Sequence, residues 1–203
     1  MEQLADLTIV MPVYNEKDSI KPGLLQLKEK LKYPFILKII YDFETDNTLP
    51  PIRELAKVEK INIELIRNKY GRGVLAAIKT GIETTTTEFV VITMADLSDP
   101  PEVINKMYEK AKMDSLDVVC GSRYMKGGSQ KGGPFLKTFL SKLAGLSLYK
   151  LTSLPTCDAT NNFKLYRKKI FENIRIVSSG GFELGFLIVV KADFSNYRVG
   201  EIP

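Results

Sequence analysis

The sequence contains no histidine. That absence removes histidine-activated nucleophiles, histidine metal sites and imidazole acid–base catalysis. Chemistry in this chain falls to carboxylates, lysine and arginine, hydroxyls and backbone groups. Cysteine is scarce: Cys120 and Cys157 are the only two, in separate segments, with neither metal-ligand spacing nor a disulfide framework. A reducing, cytosolic setting is the expectation. No basic stretch precedes the first apolar run in MEQLADLTIVMPVYNE, so that run reads as a strand and not as a signal peptide. No run of 18 apolar residues occurs, which excludes a transmembrane helix within these residues. Lysine and arginine are in excess, for a net charge of +5, but they are spread and not blocked. A nucleic-acid binder concentrates them, so no nucleic-acid partner is expected. The excess suits anionic small molecules or an anionic membrane surface. There is no internal repeat, and the one short tract, TTTT at residues 84–87, reads as a helix end and loop.

The chain has 203 residues, 44% of them hydrophobic, enough for a sizeable core in one large domain or one domain with an appendage. Its first two-thirds alternate strand and helix patterns. LTIVMPVY (residues 7–14), FILKIIYDF (35–43), INIELIRN (61–68), EFVVITM (88–94) and SLDVVCGSRY (115–124) read as strands. Between them, KDSIKPGLLQLKEKLK places Leu24, Leu27 and Leu31 on one helical face. LPPIRELAKVEK carries prolines in a helix's first turn, GRGVLAAIKTGIETT is a helix opened by glycine, and residues 101–113 form another. Near-continuous apolar strands separated by helices predict an α/β fold, a mostly parallel central sheet with helices on both faces. Ligands of such sheets bind at the carboxyl ends of the strands. Residues 135–151, FLKTFLSKLAGLSLYKL, follow a Gly-rich loop. They read either as a buried packing helix or as an interfacial helix with lysines at the headgroups.

The polar strand ends hold the candidate chemistry. Asp42 follows KIIY, Asp96 and Asp99 follow the strand that ends at Met94, and Arg123 follows VVCGS. Carboxylates and a basic group on one sheet edge suit a metal–diphosphate ligand, the carboxylates holding a hard cation that neutralises the diphosphate. An aspartate at a strand end also serves as a helix cap, a reading that Asp99 fits as well. NKYGRG before VLAAIKTG is a loose phosphate-loop pattern without the Gly-Lys-Ser/Thr ending, and it reads equally as a tight strand–helix turn.

Taken in order, IVMPVYNE, IIYDFETDNT, NKYGRGVLAAIKTGIE, FVVITMADLSDPPEVI, DVVCGSRYMKGG, DATNNFKLYRK and GGFELGFLIVVKA with YRVGEIP resemble family 2 glycosyltransferases of the GT-A fold. The resemblance is strongest to the polyprenol-phosphate sugar transferases of the dolichol-phosphate mannose synthase type. It runs from about residue 7 to 203. It implies a single GT-A catalytic domain over 1–203 and inverting transfer of one sugar from a nucleotide sugar to a polyprenol (dolichyl or undecaprenyl) phosphate. It implies a C-terminal continuation past Pro203, an acceptor segment or membrane helices, that this stretch lacks.

By the same resemblance Pro12, Tyr14, Glu16, Asp42 and Arg72 bind the GDP- or UDP-sugar. Asp96 matches the second aspartate of the family's metal motif and, with Ser98 and Asp99, is expected to hold Mg²⁺ or Mn²⁺. Asp96, which also binds the nucleotide sugar, and Arg123, near donor and acceptor phosphates, are the implied catalytic residues, and Arg123, Lys137 and Ser141 are placed at the acceptor phosphate. Asp158 to Lys164 match a loop near the site, with Ala159 and Asn162 as departures. Tyr41 and Met94 stand where the family has aspartates, and Phe43 where it has glycine. Because a thioether is a poor partner for Mg²⁺ or Mn²⁺, one carboxylate is left to the metal, with donor phosphates and waters completing it.

A lipid phosphate is already an anion and attacks without a base, which agrees with the missing histidine. Protein on the cytoplasmic face of a membrane, in peripheral contact with it, is the implied location, and the family favours the interfacial reading of residues 135–151. Two alternatives stand beside this one. A family 2 transferase onto a saccharide hydroxyl needs a base, for which Glu183 or Asp158 is the candidate. A non-catalytic nucleotide-sugar-binding protein is the other, on account of Tyr41, Phe43 and Met94.

Overall fold

A computed structural model describes residues 5–59, 61–96, 98–129, 147, 149, 154–176 and 184–203. The chain divides into two compact units, residues 1–105 and 106–203.

The first unit runs β1 (Leu7–Val13), α1 (Lys17–Lys30), β2 (Phe35–Tyr41), α2 (Leu49–Val58), β3 (Ile63–Arg67), α3 (Val74–Thr84) and β4 (Phe89–Ile92), then the start of α4 (Pro101–Met113). Its strands lie in the order β3-β2-β1-β4, and every pairing is parallel. Leu7 is opposite Phe35 and Val13 opposite Tyr41, which in turn is opposite Arg67. The carboxyl ends of β1, β2 and β3 are therefore level, and Tyr14, Asp42 and Asn68 leave the sheet at one edge. β4 pairs Ile92 with Val10, and the Thr93 N–H reaches the Val10 carbonyl at 3.1 Å.

All seven residues of β1 are buried, so both faces of this central strand are covered. Each large apolar side chain withdrawn from water there is worth about 1.5–3 kcal/mol. α3 packs on β1 and β2. It does so closely at Gly81, where an added Cβ would lie 2.2 Å from Val10 Cγ1. The threonine tract ends that helix as expected: Thr84 and Thr85 hydroxyls donate to the Gly81 carbonyl, and Thr87 bonds Thr8 across the unit.

Most strands are shorter than the sequence reading, β5 spanning Val118–Gly121 against 115–124, and two differences move residues named there. α1 stops at Lys30, so Leu24 and Leu27 are buried but Leu31 is the C-cap beyond them. β4 stops at Ile92, and Met94 is not the last strand residue but an exposed turn residue, 41% accessible. After the Thr93 N–H bond to the Val10 carbonyl the chain enters the turn at Ala95 and Asp96, which ends the strand.

The second unit holds the rest of α4, then β5 (Val118–Gly121), β6 (Lys164–Arg167), α5 (Ile170–Asn173), α6 (Leu184–Phe194) and β7 (Val199–Ile202). β5 lies between β6, antiparallel, and β7, parallel. Val118, Val119, Cys120, Leu165 and Tyr166 form its core. Burial pushes the Cys120 thiol up to about 11, so it behaves as a small apolar group. Of residues 135–151, Ser147 and Tyr149 are described, both helical; the rest, Lys137 and Ser141 included, lie outside the described residues. No helix among the described residues is long and apolar enough to cross a membrane. The α/β class and mostly parallel pairing are those read from the sequence.

Candidate functional site

The edge of the first unit is built by lacing three turns together. After Pro12 and Val13, Asn15 adopts a left-handed backbone, φ 55°. Its N–H donates to both oxygens of Asp46, at 3.1 and 3.2 Å. The Glu16 N–H donates to Thr48 Oγ1 at 2.8 Å, and the Asn47 N–H to Asn15 Oδ1 at 3.3 Å. Asp46 is 1% exposed and also accepts the Thr48 N–H. It fixes the turn that carries Tyr14 and Glu16, a role its local sequence does not signal. Its only sequence signal was a turn-type TDN cluster, because the partner N–H is 31 residues away. The Glu16 carboxylate is held by the Ser19 hydroxyl at 2.7 Å.

Asp42 closes the next gap. Its Oδ1 accepts from Asn68 Nδ2 at 2.8 Å and its Oδ2 from the Gly73 N–H at 2.9 Å. Asn68 Oδ1 in turn accepts from the Tyr70 N–H and the Thr80 hydroxyl. The NKYGRG segment is thus a strand–helix turn tied to Asp42. Gly71 and Gly73 have φ of 93° and 116°, the left-handed side that glycine adopts without strain. Tyr41 is 8% exposed and donates to Glu44 at 3.1 Å. Burial and that bond raise its pKa, so it stays a neutral phenol. Phe43 meets the Tyr14 ring edge-on at 5.6 Å, and the Arg72 guanidinium lies over Phe43 at 5.4 Å.

Beyond β4, Asp96 is exposed, and its Oδ1 accepts the Ser98 N–H at 3.0 Å, a local turn that presents the carboxylate outward. Ser98 is exposed and Asp99 half-buried. Among the described residues no group of three or more Cys, Asp or Glu side chains is placed to hold a metal. The donor set is one carboxylate with a neighbouring hydroxyl, both hard oxygens. That fits a cation whose remaining ligands are phosphate oxygens and waters, the habit of Mg²⁺, and does not fit an all-protein cage.

In the second unit Arg123 and Asp158 form a bidentate pair, Nε to Oδ2 at 2.7 Å and Nη2 to Oδ1 at 2.9 Å. The Arg123 N–H adds a third bond to the same carboxylate at 3.0 Å. Asp158 is fully buried, so this pairing fixes the arginine's geometry. Asn161 donates to the Gly121 carbonyl and Asn162 accepts the Gly185 N–H, tying the DATNN loop to β5 and α6. Lys164 is fully buried and donates to the Ala159 carbonyl at 3.0 Å.

The architecture is that of the GT-A fold. A mannosyltransferase from Pyrobaculum calidifontis, solved with GDP-Man and Mn²⁺, superposes with a TM-score of 0.70 at 19% identity, over 100% of this chain and 56% of that one. Glucosyl-3-phosphoglycerate synthase from Mycobacterium tuberculosis, solved with Mn²⁺, UDP and phosphoglyceric acid, gives 0.71 at 13% identity, over 97% and 68%. The chain belongs to glycosyl transferase family 2, whose model matches residues 8–175. The dolichol-phosphate mannosyltransferase of Pyrococcus furiosus is 28% identical over 202 residues, 97% of this chain and 55% of that protein. The dodecaprenyl-phosphate galacturonate synthase of Rhizobium johnstonii is 25% identical over 178 residues, 86% and 52%. The chain spans about half the length of these curated relatives.

Proposed function

We propose that this chain is the catalytic domain of a polyprenol-phosphate sugar transferase, moving one sugar with inversion from a GDP- or UDP-sugar to a polyprenol phosphate. The observation that carries this reading is the shared edge of β2, β1 and β4. Their parallel register brings Asp42, the Tyr14–Glu16 turn and the exposed Asp96 to the carboxyl end of one sheet. Similarity over 97% of the chain to a dolichol-phosphate mannosyltransferase, and over 86% to a dodecaprenyl-phosphate galacturonate synthase, supports the lipid-phosphate acceptor.

In this reading Pro12, Tyr14, Glu16, Asp42 and Arg72 receive the nucleotide. Asp96, with Ser98 and Asp99 beside it, holds Mg²⁺ or Mn²⁺, which when bound offsets charge on the donor diphosphate. A phosphate oxygen of the acceptor attacks the anomeric carbon from the face opposite the diphosphate. The carbon–oxygen bond to the diphosphate breaks, and the nucleoside diphosphate leaves with the electron pair. No proton moves, so the chain supplies position and charge. Arg123, locked by Asp158, supplies a fixed cation for phosphate, and Lys137 and Ser141 are assigned to the acceptor. Peripheral contact with the cytoplasmic face of the membrane brings the lipid within reach.

The reading that Asp158 is a base for a hydroxyl acceptor is disfavoured, because both its oxygens are committed to Arg123. The test is donor binding by calorimetry with GDP- and UDP-sugars, with and without Mn²⁺. Asp96→Ala is expected to remove the metal-dependent part of the affinity, at least tenfold. Unchanged affinity takes Asp96 out of the site.

A further inference from the structure

The loop between β3 and α3 holds Arg72 in an unusual setting. On either side of it Gly71 and Gly73 have left-handed backbones, and a Cβ at either would meet nothing within 4 Å. Packing therefore does not hold this stretch of backbone. Its two ends are pinned, Asn68 and the Gly73 N–H both bonding Asp42. Arg72 itself is exposed, and among the described residues no carboxylate pairs with it. What it touches is the Phe43 ring, 5.4 Å from guanidinium carbon to centroid, and that ring is braced edge-on by Tyr14. An arginine on a glycine-flanked loop loses much rotamer freedom when it binds a ligand. A guanidinium resting on an aromatic face has given up part of that freedom beforehand, and its in-plane N–H donors stay available to phosphate oxygens.

We infer that Phe43 is a positioning residue: its ring fixes Arg72 to receive the diphosphate of a nucleoside diphosphate. The inference rests on the nucleotide-donor reading above. It also gives a use to a bulky side chain at a turn where the family has glycine.

The test is a double-mutant cycle read by calorimetry with GDP, UDP and inorganic pyrophosphate, each with Mg²⁺. Phe43→Leu keeps bulk and removes the aromatic face. It is expected to weaken all three ligands roughly two- to fivefold, the scale of an exposed cation–π contact. Phe43→Tyr is expected to restore affinity, and Phe43→Leu to cost nothing further in an Arg72→Ala background. Phe43→Met repeats the cycle, and melting temperatures confirm that each variant is folded. Equal affinities for wild type and Phe43→Leu overturn the inference. So does a loss confined to GDP and UDP, which would place Phe43 against the base. If wild type binds pyrophosphate with the expected coupling but neither nucleotide, the anion site stands and the donor reading fails. If it binds none of the three, both fail.

Discussion

Thr93, 1% exposed, ends the β1–β4 ladder, and among the described residues its hydroxyl has no hydrogen-bond partner. A buried donor left unpaired costs about 1–3 kcal/mol. Thr93→Val keeps the shape and removes that cost, so it is expected to raise the melting temperature by several degrees, measured by calorimetry. An unchanged or lower value would mean that the hydroxyl is satisfied in solution. The neighbouring residues mark how far single positions were legible. Asp42 and Asp96 stand out because each is a carboxylate closely following an apolar strand, and both lie past the carboxyl ends of their strands, β2 and β4. Asp46 did not, because its value lies in the Asn15 N–H, a partner that only folding brings near. Met94 lies past the end of β4 at Ile92, since an apolar side chain after VVIT reads as more strand although the backbone has already left β1.

At the scale of elements, periodic apolar patterns located β1 to β5 and α1 to α4, because these segments bury whole faces locally. β6 has no such pattern: KLYR carries Lys164 into the core, and its ammonium donates to the Ala159 carbonyl, a contact the local sequence does not announce. The contact of α3 with β1 depends on Gly81. Alanine there gains helix propensity of about 1 kcal/mol but collides with Val10, and overpacking of this kind costs typically 1–3 kcal/mol. With 2.2 Å to Val10 Cγ1, the collision dominates. Gly81→Ala is expected to lower the denaturation midpoint in urea, and Val10→Ala in the same chain to recover part of the loss. Additive losses would show that the two side chains do not meet. The Arg123–Asp158 pair makes a second prediction. Asp158→Ala leaves a partly buried guanidinium without its anion and is expected to cost about 3 kcal/mol of stability by urea denaturation. A cost below about 1 kcal/mol, the range of an exposed pair, would contradict the locking role.

For the molecule as a whole, family membership rests on a match over residues 8–175, and the parallel register of the first unit brings the carboxyl ends of β1 and β2 level. A net charge of +5 agrees with the proposed handling of anionic phosphates. The acceptor assignment was the least legible part in physical terms, because Lys137 and Ser141 sit past a Gly-rich loop where spacing no longer fixes position. The most direct measurement is transfer itself. The full-length gene product is incubated with radiolabelled GDP- and UDP-sugars, Mn²⁺ or Mg²⁺ and polyprenyl phosphate. The account predicts label in an organic-soluble product that mild acid releases, formed only when metal and lipid phosphate are both present. Label transferred only to a water-soluble glycan would contradict it.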